Sequence, residues 1–350
     1  TSTDALDLAR LITKKAYEAG ARQVFVDLAD DQIGRARYEL APDDSFDFFP
    51  EWKVKEREWL AEQGAAFVSI VSQSPDLLKG IDSKRIATFQ KAAGTALNKY
   101  RQYVQSDKIS WTVIASPSEA WAEKVFPNLP KEKQVDALWD AIFKATRSDL
   151  DNPVEAWTKH NDTLHEKVHY LNAKKYAKLH YTAPGTDLTI ELPKGHLWCG
   201  AGSVNEKGEE FMANMPTEEV FTVPHKDGVN GYVSSTKPLS YGGNIINNFK
   251  ITFENGRITK VEAEQGEEVL KNLVATDEGS HRLGEVALVP HDSPISNSGL
   301  LFYNTLFDEN ASNHLAIGSA YAFCLEGGKK MNREELEANG LNQSITHVDF

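Results

Sequence analysis

Residues 65–71 read AAFVSIV, a short apolar run preceded by Gln63-Gly64 and followed by Ser72-Gln73-Ser74-Pro75. Seven residues are too few for a typical helix, and the β-branched content favours a strand buried in a sheet. A second run of the same texture, SWTVIA at 110–115, follows a long polar stretch at 84–104 with helical spacing. Upstream, helical patterning covers 53–63, and QVFVDL at 23–28 reads as another strand. A further helix is expected over 5–19, with Leu6, Ala9, Leu11, Ile12 and Ala16 on one face and Gly20 at the C-cap position. Strands alternating with helices predict an α/β arrangement, a parallel sheet covered on both faces. No G-x-G-x-x-G follows any of these strands, so no dinucleotide site is expected.

Residues 131–177 read as mostly helical and charged, a connecting segment. From Lys178 the texture changes to short β-type runs: KLHYTA at 178–183, DLTIEL at 187–192 and KITFENGRITKVEAE at 250–264. Glu254-Asn255-Gly256, between alternating apolar positions, predicts a hairpin over Phe249–Val261. The expected organisation is an N-terminal α/β domain over 1–177 and a C-terminal α+β domain over 178–350. The second should be rich in antiparallel strand and carry the functional site. A length of 350 residues agrees with two cores.

Composition is that of an ordinary globular protein, 41% hydrophobic and 25% charged. No apolar run approaches membrane-spanning length, and the opening TSTDALDLAR lacks the basic start and apolar core of a signal peptide. Two cysteines, Cys199 and Cys324, are too few for a disulfide framework, which favours the reducing cytoplasm. A net charge of -13 repels phosphate backbones, so nucleic acid is not an expected partner. All ten histidines fall between His160 and His347, which directs the search for ligand chemistry to the second half.

Four places there carry candidate chemistry. Glu218-Glu219 lies in NMPTEEVFT; one carboxylate of the pair would bind metal while the other acts on water, or both are simply solvated. Glu285 interrupts the apolar run LGEVALV, where a carboxylate is costly unless paired or metal-bound, although a solvated strand face would also accommodate it. His314 in ENASNHLAIGSAY is placed at the start of a helix, with Tyr321 two turns on along the same face. A tyrosine there would donate to an oxyanion; otherwise the two are a cap and a core residue. His347 and Asp349 in ITHVDF project to one side of a strand, as two ligands of one ion would, or as an exposed polar face. The set offers only nitrogen and oxygen donors, which suits Zn²⁺, Co²⁺ or Mn²⁺.

Taken in order, NMPTEEVFTVPHKDGVNGYV (214–233), LGEVALV (283–289), ENASNHLAIGSAY (309–321) and ITHVDF (345–350) resemble the M29 metallo-aminopeptidases, the AmpS, PepS and aminopeptidase T group. LHYTAPGTDLTIELPKG (179–195) and LITKKAYEAGA (11–21) are similar to that family as well, so the resemblance covers essentially the whole chain. It implies a homodimer that removes N-terminal residues from short peptides with two divalent metal ions per chain. By motif matching, Glu219, Glu285, His314, His347 and Asp349 are the implied metal ligands and Tyr321 the active-site tyrosine. Glu218 is assigned as general base by analogy with other two-metal aminopeptidases. Family members begin earlier and continue past the H-V-D-F motif, so the chain is expected to be part of a longer one. Two rival readings remain: a single-iron, ring-cleaving dioxygenase on a related scaffold, and a non-catalytic binding protein.

Overall fold

The computed structural model describes residues 1–350. The run at 65–71 forms strand β1 (Phe67–Val71), which pairs in parallel with β2 (Trp111–Ala115), Phe67 opposite Trp111 and Val71 opposite Ala115. As expected the pairing is parallel; the sheet has two strands, and Val68 on it is 44% exposed. The expected helices appear at Leu6–Glu18 and Glu51–Glu62. The polar stretch at 84–104 divides at Leu97 into Ser83–Ala96 and Asn98–Gln105. QVFVDL is not a strand. Phe25 and Val26 stay about half exposed with no neighbouring strand to pair with, and the nearest ladder contact is a bridge between Ser2 and Ala29.

The charged segment after Lys131 forms two helices, Lys131–Ala145 and Pro153–Lys174. The second starts where it does because Asn152 caps its N-terminus and Pro153 fits the first helical position. Between them Arg147 adopts a left-handed backbone, φ +56°, which reverses the chain.

Beyond Lys178 the named strands all pair antiparallel, while Asn214 forms an isolated parallel bridge with Val113. Strands β3 (Lys178–Ala183), β4 (Thr186–Glu191), β5 (Cys199–Gly200), β6 (Ser203–Val204), β7 (Glu210–Phe211) and β8 (Val220–Thr222) come first. They are followed by β9 (Val229–Ser234), β10 (Leu239–Tyr241), β11 (Asn244–Glu254), β12 (Arg257–Gln265), β13 (Leu283–Leu288), β14 (His314–Gly318) and β15 (His347–Asp349). One sheet runs β10-β11-β9-β4-β3 with β12 also on β11; the other runs β15-β14-β13-β8-β5. The two sheets share a core in which Ile190, Ile251 and Phe253 join Val286, Leu315 and Ile317. A second core joins Trp121, Leu138 and Ile142 to Phe302 and Phe307, so packing crosses Lys178.

The expected hairpin is β11–β12, with Asn255 and Gly256 at φ +49° and +79°. A Cβ at Gly256 would lie 1.8 Å from the carbonyl oxygen of Lys226. Gly256→Ala therefore combines left-handed strain with a backbone collision. A loss of about 1–3 kcal/mol is expected. Urea unfolding checks it; an unchanged midpoint would show that the turn relaxes freely.

His314 does not open a helix. The segment HLAIG is strand β14, all five residues buried between β13 and β15. A short apolar run buried on both faces carries no period that separates helix from strand. Tyr321 thus owes its position to the turn after β14, not to a shared helical face.

Candidate metal centre

Alternation along the five-stranded sheet builds the site. Val220, Val286, Leu315 and Ile317 point into the core, with Val348 packed against it. Their chain neighbours Glu219, Glu285, His314, His347 and Asp349 are therefore carried on the opposite face. Register brings them level: Ala316 lies opposite both Glu285 and Asp349, and Gly318 lies opposite His347.

The ligand atoms of Glu219, Glu285 and His314 lie within 4.8 Å of one another, and so do those of Glu285, His347 and Asp349. Glu285 belongs to both groups, with one oxygen 3.6 Å from His314 Nε2 and the other 3.7 Å from His347 Nε2. His347 Nε2 is 3.6 Å from Asp349 Oδ1. Glu219, Glu285 and His314 are buried.

Backbone carbonyls orient both imidazoles. His314 Nδ1 lies 3.2 Å from the Ser312 carbonyl and His347 Nδ1 lies 2.7 Å from the Ser319 carbonyl, so in each ring Nδ1–H is the donor. In the neutral rings both Nε2 lone pairs then face carboxylates. His314 Nε2 and Glu219 Oε2 are 2.8 Å apart but not aligned as a hydrogen bond, and both atoms, with Asp349 Oδ1, are buried without any partner. Lone pairs converging on lone pairs need a cation between them. The donor set fits a divalent ion.

Charge in the site obeys the same logic. Burial, reinforced by Asp349 and Glu219, pushes the Glu285 carboxyl up to about 7. For His347 burial favours the neutral ring, but Asp349 and Glu285 outweigh it and raise the imidazole to about 9. Without metal, the cluster holds protons that a divalent ion would displace.

Sequence reading missed Glu309. It sits half-buried in the 3-10 turn Glu309–Ala311, where desolvation and then Asp349, Glu219 and Glu285 raise its carboxyl well above the usual range. Cavities of about 250, 380 and 400 Å³ all reach Glu309 and Asp349. Tyr321 lines the two larger cavities, its ring 4.6 Å from that of His347.

Glu218 faces elsewhere. It lines none of these cavities. Arg147 donates Nη1 to one carboxylate oxygen at 2.6 Å and Nη2 to the other at 3.0 Å. His160 completes the clamp: Nδ1 takes an Arg147 N–H at 3.2 Å and Nε2–H donates to the Thr217 carbonyl at 2.7 Å. Burial lowers the His160 pKa and keeps the ring neutral, as this pattern requires. Adjacent side chains of an extended segment point apart, which is why Glu218 and Glu219 meet different surroundings.

The family model described as thermophilic metalloprotease (M29) matches residues 1–350. Aminopeptidase AmpS of Bacillus subtilis (strain 168) is 68% identical over 349 residues, which are 100% of this chain and 85% of the relative. Aminopeptidase PepS of Streptococcus thermophilus is 51% identical over 98% of this chain and 84% of its own length. The structure of wild-type AmpT from Thermus thermophilus superposes with a TM-score of 0.88 at 41% identity, covering 100% of this chain and 85% of that one. No helix here is long and apolar enough to cross a membrane. A cluster of nitrogen and oxygen donors on one face of a sheet and a family match along every residue lead to one conclusion: the chain belongs to the M29 family of metallopeptidases.

Proposed function

We infer that the chain is a metal-dependent aminopeptidase that removes N-terminal residues from short peptides, working as a cytoplasmic homodimer. Residues 178–350 would form its metal-binding domain and 1–177 the α/β domain beside it. The observation that carries the reading is the pair of imidazoles whose Nε2 atoms face Glu219, Glu285 and Asp349 across a space with no hydrogen bond to fill it. We assign Glu219, Glu285 and His314 to one divalent ion and Glu285, His347 and Asp349 to a second, with Glu309 as a further carboxylate of the same centre. Zn²⁺, Co²⁺ and Mn²⁺ all suit these donors.

Bound there, such ions would acidify a water and polarise the scissile carbonyl. Tyr321 stands over the cluster with a phenol held protonated by burial and by Glu285 and Asp349, so it can donate to a developing oxyanion. The acidic wall also suits a peptide's free ammonium. Glu218, with both oxygens on Arg147, is assigned a supporting role beneath Glu219 rather than proton transfer.

Turnover of leucine p-nitroanilide tests the reading. Chelation should abolish it, and zinc or cobalt should restore it with two ions per chain. Iron bound at one ion per chain, with no release of p-nitroaniline under any metal, would favour ring-cleaving chemistry instead. Activity untouched by chelation would sink the metal assignment.

A further inference from the structure

The cavity of about 380 Å³ is asymmetric in charge. At one end stand Glu219, Glu285, Glu309 and Asp349. At the other, Lys329 is the one lysine or arginine in the lining. Its ammonium is fixed by Asp107, whose Oδ2 accepts from Lys329 Nζ at 3.1 Å and from Ser203 Oγ at 2.7 Å. Asp107 is 3% exposed, whereas the Lys329 side chain is 46% exposed. One of the three ammonium donors is thus committed to the wall, and two remain for a ligand.

A row of rings joins the two ends. His347 to Tyr321 is 4.6 Å, Tyr321 to Phe323 is 5.1 Å, and Lys329 Nζ lies 5.8 Å from the Phe323 ring. An extended peptide advances about 3.3–3.6 Å per residue, so a path bounded by these three steps is covered by at most about four residues. A free peptide carries opposite charges at its two ends. With its ammonium at the acidic end, its carboxylate would meet no lysine or arginine in this cavity other than Lys329.

We propose that Lys329 is the receptor for the C-terminal carboxylate of tri- and tetrapeptide substrates, held in place for that purpose by Asp107. The proposal rests on the aminopeptidase reading and adds to it a requirement that the short peptide carry a free C-terminal carboxylate. Lys329 touches substrate far from the scissile bond, so it acts on specificity.

The test compares Leu-Gly-Gly with its C-terminal amide on the metal-loaded protein. The wild type should favour the free acid about tenfold in kcat/KM, chiefly through KM, as one charged hydrogen bond allows. K329M should bring the acid-to-amide ratio close to one, and K329R should keep most of it. The ratio is read on a single preparation, so a partly unfolded variant does not distort it. Quenching of tryptophan fluorescence by the two peptides gives the same ratio in binding, because Trp111 lines the cavity. That arm decides the Lys329 assignment even if neither peptide is hydrolysed, an outcome that would count against the aminopeptidase reading alone. A wild type indifferent to the C-terminal charge, or a K329M protein that retains the preference, would overturn the proposal.

Discussion

Glu285→Gln should abolish hydrolysis while leaving the metal-free fold intact. Glu285 is the one carboxylate common to both ligand groups, and its two oxygens face two different imidazoles. Replacing a partner that merely orients a ligand costs about 10–100-fold in metal affinity or activity. Loss of a ligand shared by two ions should exceed that range. Glutamine has nearly the same shape, so the packing of β13 survives. The change also removes a buried charge held beside Glu219, Asp349 and Glu309, so the metal-free variant should melt no lower than the metal-free wild type. What it should lose is the rise in Tm that added metal gives to the native state. Metal content by mass spectrometry, melting with and without zinc, and kcat/KM together decide the matter. Full occupancy of both ions in the variant would remove Glu285 from the centre.

How much of this was visible beforehand depends on whether a residue's partners are local. The β11–β12 hairpin was legible because Asn255-Gly256 and the flanking alternation are adjacent in the chain. Glu285 in an apolar run and the i, i+2 pair His347 and Asp349 were legible for the same reason, since strand alternation fixes their common face. His314 was recognised as a candidate but placed on a helix, because HLAIG is buried on both faces and so shows no period. Glu309 follows Asp308 in a polar turn and looks like a solvated acidic pair; only the fold shows that it lines the same cavities as Asp349. QVFVDL has the composition of a strand without a partner to pair with. Arg147 offered no signal at all. It lies in a loop 71 positions from Glu218, and no sequence rule links a loop arginine to one member of a distant glutamate pair.

That arginine carries the largest expected effect on stability. The Arg147 and Glu218 side chains are 15% and 2% exposed, and both carboxylate oxygens are taken up by one guanidinium. Arg147→Met keeps the length of the aliphatic stem and deletes the charge. Glu218 is then left as an unpaired buried carboxylate with only the neutral His160 nearby. Breaking a buried pair from one side costs about 3–5 kcal/mol, a large share of the stability of most proteins. The logic is asymmetric: removing both charges removes the penalty with them. Arg147→Met combined with Glu218→Met should therefore be clearly more stable than Arg147→Met alone, by about 2 kcal/mol or more in the double-mutant cycle. Chemical unfolding of the two single variants and the double variant measures this directly. If instead the costs simply add, the clamp is not a coupled pair. Activity gives an independent reading of the same contact. The backbone N–H of Glu218 donates to Asn310 Oδ1 at 2.7 Å, and Asn310 directly follows Glu309. A loosened Glu218 would thus displace Glu219 on one side and Glu309 on the other, so metal affinity should fall in Arg147→Met even at temperatures where the fold persists.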